Sequence, residues 1–381
     1  MRYDGVFTSA SFLTAVLVHL TLPTTAAAQG TRAAPEAFSR GKSLADWMVQ
    51  ADHYIPELRR EAIKSIAALG PAARQALPVL VRATRDENQE VRLWAVTAIR
   101  RIGPSARDAT PALLTVLSDD ARPVQEAARD ALEAIGPAAA PVLLPALRTR
   151  DPWVRANAAE ALGIIGEGKG QVVPELVRLL ADDSLWVRAS AAWALGHLGR
   201  DAKKAAKPLA AALAEELRRD PTLSAPAQRV RVENLVFALG RIGKDAGDAA
   251  PLVLSVFFDG GDSLRGIAVV ALSGIGAKAA GPLGKAVRSG VMPVRLDAAR
   301  ALRLMGPAGK SAVGDLVKVL ESNDELEGGH DLIIATADAL GAMGKQAKAA
   351  RSALEQQRKR SVTPDVVAAL DRALRKLRQG G

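Results

Sequence analysis

The sequence predicts an all-α protein in which about nine helical hairpins and a terminal helix stack into an α-solenoid. The chain of 381 residues is 49% hydrophobic but only 3% aromatic. Its interior must therefore be built from small aliphatic side chains, and alanine, which favours helices, suits helices that approach closely. An apolar residue followed by glycine also recurs at a nearly fixed interval, which is the signature of a repeat architecture.

The recurring glycines mark the ends of the predicted helices. Half of the intervals between them are 33 residues long, and the segment before each glycine is apolar at positions 1, 5, 8, 9 and 12, as between Val154 and Ile165. That spacing gives a helix with one buried face, which the glycine then ends. The glycines are Gly70, Gly103, Gly136, Gly166, Gly199, Gly243, Gly276, Gly306 and Gly344.

The partner helix of each hairpin follows the glycine. A proline often stands eight residues after the glycine, close to the first helical turn, where its missing N–H is tolerated; Pro78, Pro111 and Pro251 are examples. A hairpin of this length cannot bury its own apolar face, so the core must form between stacked neighbours. We therefore predict one solenoid over residues 43–381 that is closed by a helix from Val366 to Leu377.

The unit from Asp151-Pro152-Trp153-Val154-Arg155 to Ala161-Leu162-Gly163-Ile164-Ile165-Gly166 resembles the signature of HEAT repeats. It is most similar to the short bacterial HEAT-like repeats first named for phycobilin lyase subunits, and the pattern covers roughly residues 44–378. The resemblance implies a right-handed solenoid with each Val-Arg helix on the concave side. It implies no particular activity, because proteins with one fold carry out different functions.

The N-terminus has the features of a secretory signal peptide. Arg2 precedes an apolar stretch from Val6 to Leu22, and small residues lead up to Gln29. We predict a signal peptide over residues 1–28 that is cleaved near Ala28, a flexible segment over residues 29–42, and a periplasmic or secreted protein. The alternative is an uncleaved membrane anchor, since the stretch is nearly long enough to span a bilayer.

An arginine follows the valine in most units, and an aspartate often lies in the preceding turn. A catalytic pair would need only one copy, so this recurrence favours a structural role. The resemblance implies that these residues form a ladder of bonds along the stack. The predicted ladder residues are Arg92, Arg155, Arg188, Arg265, Arg295, Asp86, Asp151 and Asp183.

A binding groove is predicted on the concave side. Positions 7 and 10 of the Val-Arg helix share one face, away from the buried stripe. Position 7 is apolar in three adjacent central units, at Trp193, Phe237 and Val270. Position 10 is glycine in three, at Gly163, Gly196 and Gly240, which suggests that something approaches closely. An apolar floor between acidic and basic residues is typical of a protein or peptide anchor site. The predicted groove residues are Trp193, Phe237, Val270, Glu160, Asp130, Arg300, Arg303, His197 and Arg241. The alternative is that the aromatic residues fill gaps against a neighbouring helix.

The sequence carries no enzyme motif. The absence of cysteine excludes disulfides and thiolate metal sites, and the four histidines are scattered. Phosphate-binding loops, His-Glu-x-x-His and Gly-x-Ser-x-Gly are also missing. We therefore predict no catalytic residues, no metal and no cofactor, and we favour an exported, non-enzymatic scaffold that binds a protein or peptide.

Two other functions stay open. The resemblance allows a phycobilin-lyase-like enzyme or a ligand-binding protein. The net charge of +10 allows a nucleic-acid binder, but acidic residues interrupt the concave lining and export disfavours a nucleic-acid partner. The basic C-terminal end, with Arg358, Lys359 and Arg360, offers a contact to an anionic surface. Insertions at 217–228 and 322–330 are expected to form loops, either near a binding face or neutral.

Overall fold

The computed structural model describes residues 38–39, 41–166, 169–223, 225–322 and 329–379. The predicted signal peptide, and most of the insertion at 322–330, lie outside these residues. Within them, twenty α-helices form ten hairpins, which confirms the α-solenoid. The predicted closing helix is the second helix of the tenth hairpin, because the helix at 351–360 packs against it.

Each hairpin consists of a first helix, usually short, and a longer second helix. The first helices are α1 (Leu44–Gln50), α3 (Leu77–Ala83), α5 (Thr110–Val116), α7 (Ala140–Ala146), α9 (Lys169–Leu179), α11 (Ala206–Arg219), α13 (Ala250–Asp259), α15 (Ala277–Ser289), α17 (Val313–Glu321) and α19 (Arg351–Arg360). The second helices are α2 (Pro56–Ala68), α4 (Gln89–Ile102), α6 (Arg122–Ile135), α8 (Pro152–Ile165), α10 (Leu185–Leu198), α12 (Pro226–Ile242), α14 (Gly261–Ile275), α16 (Met292–Met305), α18 (Gly329–Met343) and α20 (Pro364–Gln379). Every second helix contacts the second helix of the next hairpin, and together they form the second-helix layer.

The predicted glycines end the second helices as expected. All of them have a positive φ, between 55° and 81°, which side chains with a Cβ rarely adopt. Most of them open a short 3₁₀ segment, here called a connector, that leads to the next hairpin. The connectors are Gly70–Ala76, Gly103–Ala109, Gly136–Ala139, Gly199–Ala205, Gly243–Ala249, Gly306–Ala312 and Gly344–Ala350.

Changes in the connectors and helices account for the irregular repeat lengths. Two intervals between the glycines are 30 residues long. The one that begins at Gly136 has a connector of only four residues, Gly136–Ala139, and the one that begins at Gly276 has none, because α15 starts immediately after that glycine. The insertion predicted as a loop at 217–228 instead lengthens two helices, since α11 has 14 residues and α12 has 17. Gln228 stabilises this junction because its buried side-chain amide donates to the backbone oxygen of Glu216 at 2.6 Å.

The core is a continuous row of alanine, leucine, isoleucine and valine side chains along the stack. Trp47 and Phe257 are the aromatic residues buried in the described part of the core. Close helix packing through alanine therefore explains how a chain so poor in aromatic residues forms an extended core. Among the described helices, none combines the length and the apolar character needed to cross a bilayer.

A small cap covers the first hairpin. The strands β1 (Phe38–Ser39) and β2 (Lys42–Ser43) pair antiparallel, so this part of the segment predicted to be flexible is structured. The indole N–H of Trp47 donates to the backbone oxygen of Ser39 at 2.9 Å. Ser43 and Asp46 form a reciprocal capping box at the start of α1.

Candidate functional site

The predicted groove residues lie on six consecutive helices of the second-helix layer, from α6 to α16. Three of them are brought into direct contact. The indole of Trp193 stacks on the imidazole of His197, with ring centroids 3.6 Å apart, and this imidazole lies 5.3 Å from the ring of Phe237. We call these three residues the aromatic row. Val270, on the next helix, is 59% exposed.

The glycines at position 10 do not leave a groove open. A Cβ at Gly163 would lie 2.7 Å from the Cα of Ala194, and one at Gly240 would lie 2.5 Å from the Cα of Ala271. The close approach predicted at these glycines is therefore made by the next helix of the same chain. Glycine is required there because two helix backbones meet without space for a side chain.

Phe237 fills the space left by Gly196. A Cβ at that glycine would lie 2.5 Å from two carbons of the phenyl ring. Phe237 therefore has the gap-filling role that the sequence left open as the alternative. Phe237 and Trp193 are half-buried and pack against neighbouring helices, whereas His197 and Val270 are the more exposed members of this surface.

His197 occupies the centre of the aromatic row. Its Nδ1 lies 3.0 Å from the backbone oxygen of Trp193, one helical turn earlier. Partial burial of the ring lowers the pKa of His197 below its usual value, and the positive charge of Arg241 lowers it further. The imidazole is thereby held in its neutral form near pH 7, which suits contact with apolar groups.

Glu233 belongs to the same surface but escaped the sequence prediction. It lies one turn before Phe237 on α12, and Arg241 lies one turn after it, so α12 presents an acid, an aromatic ring and a base in line. Burial raises the pKa of Glu233, and Ser263 on α14 contacts its carboxylate at 3.5 Å. Glu233 lies one turn before position 7 of its helix, and the sequence prediction considered only positions 7 and 10 across the repeats.

The charged flanks of the row differ from one another. On the acidic side, Glu160 accepts a hydrogen bond from Ser190 at 2.9 Å and lies 3.5 Å from Arg129. Asp130 is 3.5 Å from Arg100. On the basic side, Arg300 and Arg303 are exposed on α16 and form no ion pair with a described residue. The acidic flank is therefore partly neutralised, while the basic flank is available to a partner.

The predicted arginine ladder is present, but with a different connectivity. The guanidinium of Arg92 donates to both carboxylate oxygens of Asp119, at 2.8 and 2.9 Å, and to the backbone oxygen of Asp86 at 3.0 Å. Asp86 in turn receives both bonds from Arg59. Each arginine thus binds the backbone of the loop before it and the carboxylate of the loop after it, 27 residues further along the chain.

Two of the predicted ladder aspartates have other contacts. Arg155 binds Asp182, at 2.8 and 2.9 Å, rather than Asp151. Asp151 instead caps α8 by accepting from the backbone N–H of Trp153. Asp183 contributes its backbone oxygen to Arg188. The reason is the stacking, which places a carboxylate of the next hairpin's loop opposite the guanidinium, whereas the loop of the same hairpin contributes backbone oxygens.

The ladder changes in the later hairpins. Arg188 has no carboxylate partner among the described residues, because Arg231 binds both oxygens of Glu216, at 2.9 and 3.0 Å. Burial lowers the pKa of Arg188, and the neighbouring Arg231 lowers it further. Arg265 lies 3.0 Å from Asp262. The Nε of Arg295 donates to a backbone oxygen of α15 at 2.8 Å.

A polar cleft of about 520 Å³ lies on the ladder between the fourth and fifth hairpins. It is lined by Arg148, Thr149, Arg155, Arg178, Asp182 and Asp183. Its arginines are already bound: Arg148 and Arg178 contact Glu175, and Arg155 contacts Asp182. Beside it, the exposed indoles of Trp153 and Trp186 stack with centroids 5.9 Å apart. The cleft is therefore part of the structural ladder, and the two tryptophans cover neighbouring helix starts.

Comparison with known proteins agrees with this architecture. The family described as HEAT repeats matches residues 44–133, 110–170 and 140–225. Importin beta has a similar fold, with a TM-score of 0.58 and 14% sequence identity. The match covers 88% of this chain and 52% of importin beta, so this chain spans about half the length of importin beta. An engineered protein (TM-score 0.45, 21% identity, 89% of this chain and 99% of that chain) is also similar.

The phycocyanin lyase complex of CpcE and CpcF from Nostoc sp. PCC7120 has 21% identity over 79% of this chain and 94% of that chain, with a TM-score of 0.32. A search of curated proteins gives no match to this sequence. These likenesses concern the fold of the chain.

Proposed function

From the premise that this chain is a HEAT-repeat solenoid, we propose that it is an exported, non-enzymatic scaffold that binds a protein or peptide on its second-helix layer. The aromatic row carries this proposal. Aromatic side chains at the centre of a surface with charged margins are the usual anchors of protein interfaces. Here they occur in a chain that is only 3% aromatic.

The chemistry of the surface defines the partner. Val270 and His197 offer an apolar contact next to Phe237, so the partner needs an apolar anchor residue. Glu233 and Arg241 lie on either side of this contact, one turn away along α12. The unpaired Arg300 and Arg303 lie beyond it on α16. We therefore expect a segment with an apolar residue that is followed, on the α16 side, by carboxylates.

The exposed residues give the sharpest test. Trp193 and Phe237 also pack against neighbouring helices, so their removal would disturb the fold together with the surface. Val270→Asp places a charge in the apolar contact at a position that is 59% exposed. Val362→Asp makes the same chemical change at a site that is 92% exposed and lies between α19 and α20, away from the aromatic row.

The experiment combines affinity purification with site-specific crosslinking. A photo-crosslinking amino acid at position 270 should capture a discrete protein partner, and the same group at position 362 should not. Binding of the identified partner should fall at least tenfold with Val270→Asp, because a buried unpaired charge costs more than 1.4 kcal/mol, and should be unchanged with Val362→Asp. Equal binding by both variants would refute the assignment of this surface.

Export is a separate part of the proposal, supported by the composition of residues 1–28. A reporter that is active only outside the cytoplasm, fused after residue 42, should be active. N-terminal sequencing of the mature protein should begin close to Gln29. A mature protein that still begins at Met1 would support the uncleaved anchor, and retention in the cytoplasm would refute export.

A further inference from the structure

The two edges of the solenoid differ in charge. One edge, the loop edge, is formed by the loops that join the first and second helix of each hairpin. Several of its arginines are paired with carboxylates within the chain: Arg59 with Asp86, Arg92 with Asp119, and Arg155 with Asp182. The opposite edge, the connector edge, is formed by the connectors between hairpins.

The connector edge carries an excess of exposed cations. Its acidic residues are fewer, and two of them, Asp108 and Asp248, lie next to a cation of the same edge, Arg107 and Lys278. Most of the other cations form no ion pair with a described residue. The exposed cations of the connectors, with Lys278 at the equivalent place after Gly276, are Arg74, Arg107, Arg200, Lys203, Lys204, Lys244, Lys278, Lys310, Lys345 and Lys348. The acids are Asp108, Asp201, Asp245 and Asp248.

The connectors follow one another along the solenoid, with an interruption of the cations at the third, Gly136–Ala139, which carries none. Numbered in chain order, connectors 1, 2 and 3 contact one another in sequence, connector 4 contacts connector 5, and connector 6 contacts connector 7. Helix α15 contacts both connector 5 and connector 6 and so joins them. Packed helices lie about 8–10 Å apart, which is close to the Debye length of roughly 8 Å at physiological salt. Neighbouring cations therefore repel one another only weakly, and each can interact independently with an anionic surface.

The chemistry of the edge favours a lipid surface over other polyanions. No described connector contains an aromatic residue on which nucleic-acid bases could stack. Lysine predominates over arginine among these cations. The lysine ammonium is a hydrated point charge, and unlike the arginine guanidinium it does not bind a phosphate in a fixed bidentate geometry. Such a row suits a layer of mobile anionic headgroups. We propose that the connector edge docks the protein on an anionic phospholipid membrane.

This surface is distinct from the aromatic row. The cations lie at the ends of the hairpins, whereas the row lies on the face of the second-helix layer, so docking would leave that face accessible. The basic C-terminal end contributes less than its sequence suggests, because Arg358 is bound to Asp371 and Arg372 lies 3.5 Å from Asp338.

The test is co-sedimentation of the full chain with lipid vesicles. Binding is expected to vesicles that are equimolar in phosphatidylglycerol and phosphatidylcholine, and to weaken steeply with added salt. Vesicles of phosphatidylcholine alone report any insertion of the apolar N-terminal stretch. Each lysine near an anionic surface contributes about 1 kcal/mol, so removing three should lower the partition coefficient on the order of 100-fold.

A matched pair of variants separates the edge from the net charge. The first is Lys203→Gln/Lys204→Gln/Lys310→Gln on the connector edge. The second, Arg85→Gln/Arg150→Gln/Lys318→Gln, removes the same charge from exposed positions at the loop edge and in the last turn of α17. Circular dichroism shows whether both variants fold.

The first variant should lose binding and the second should retain it, while Val270→Asp should also retain it if docking is independent of the proposed partner site. Equal losses in the two triple variants, binding that salt does not weaken, or no binding to phosphatidylglycerol would overturn the proposal. Binding of the protein to duplex DNA without binding to vesicles would also overturn the proposal and would indicate a nucleic-acid partner.

Discussion

Replacing Gly240 with alanine tests whether helix contact explains the glycines of the second-helix layer. A Cβ at this position would lie 2.5 Å from the Cα and 2.8 Å from the Cβ of Ala271 on α14. The Cα is a backbone atom, so relief requires α12 and α14 to move apart. Overpacking of this kind costs up to about 3 kcal/mol.

The higher helix propensity of alanine offsets part of that cost. Alanine is favoured over glycine by about 1 kcal/mol in a helix interior, so Gly240→Ala should lower the free energy of unfolding by about 2 kcal/mol. Gly266→Ala is the matched control. Gly266 lies inside α14, and a Cβ there would meet no atom within 4 Å, so only the propensity gain applies and this variant should be about 1 kcal/mol more stable than wild type.

Urea denaturation followed by circular dichroism measures both variants. Because a repeat array need not unfold in one step, limited proteolysis at the connector Gly243–Ala249 between α12 and α13 should accompany it. The midpoint should fall for Gly240→Ala and rise for Gly266→Ala. A midpoint for Gly240→Ala that equals or exceeds that of the control would refute the assignment of this glycine to helix contact.

Three further predictions concern the aromatic row and the ladder. Phe237→Ala should lower the free energy of unfolding by about 3 kcal/mol on its own. The loss should be clearly smaller when it is combined with Gly196→Ala, because the new methyl group enters the space left by the phenyl ring. Additive losses of stability in the double-mutant cycle would contradict the contact between the two residues. Burial raises the pKa of Asp182, but the hydrogen bonds from Arg155 and from the backbone N–H of Ser184, together with the nearby positive charges, lower it overall. The stabilising contribution of Asp182 is therefore present above about pH 4 and is lost as the pH falls further. The difference in free energy of unfolding between wild type and Asp182→Asn should therefore become smaller as the pH falls below about 4. A difference that stays constant would contradict this role of Asp182. Because burial lowers the pKa of His197, the unfolded state binds the proton more readily, and stability should fall as the pH drops below about 6.5. His197→Gln should make the stability less dependent on pH between pH 5 and 8. An unchanged slope of stability against pH would show that another group is responsible.

Much of the fold could be predicted because each hairpin repeats the same local pattern. The glycines at the ends of the second helices were all predicted, and each has a positive φ. The extra residues at 217–228 were harder to place. Their sequence contains two prolines and resembles a loop, but buried contacts such as those of Leu223 and Gln228 extend the helices on either side.

The candidate site could be predicted only in part. The face that carries Trp193, Phe237 and Val270 follows from helical periodicity. Whether a residue on that face is exposed depends on the next hairpin, and the periodicity contains no information about it. The phenyl ring of Phe237 turns toward Gly196, and Glu233 becomes half-buried against α14, for reasons that lie in another repeat.

The sequence by itself determined the repeat, the helix ends and the buried stripe of each helix, since these depend on residues within one hairpin. The tertiary structure decided the partners between hairpins: the carboxylate or backbone oxygen that a ladder arginine binds, the atoms that fill the space above Gly163, Gly196 and Gly240, and the placement of the connector cations on one edge. These contacts depend on how one hairpin is rotated and shifted on the next, and that register is set by the packing of the whole interface.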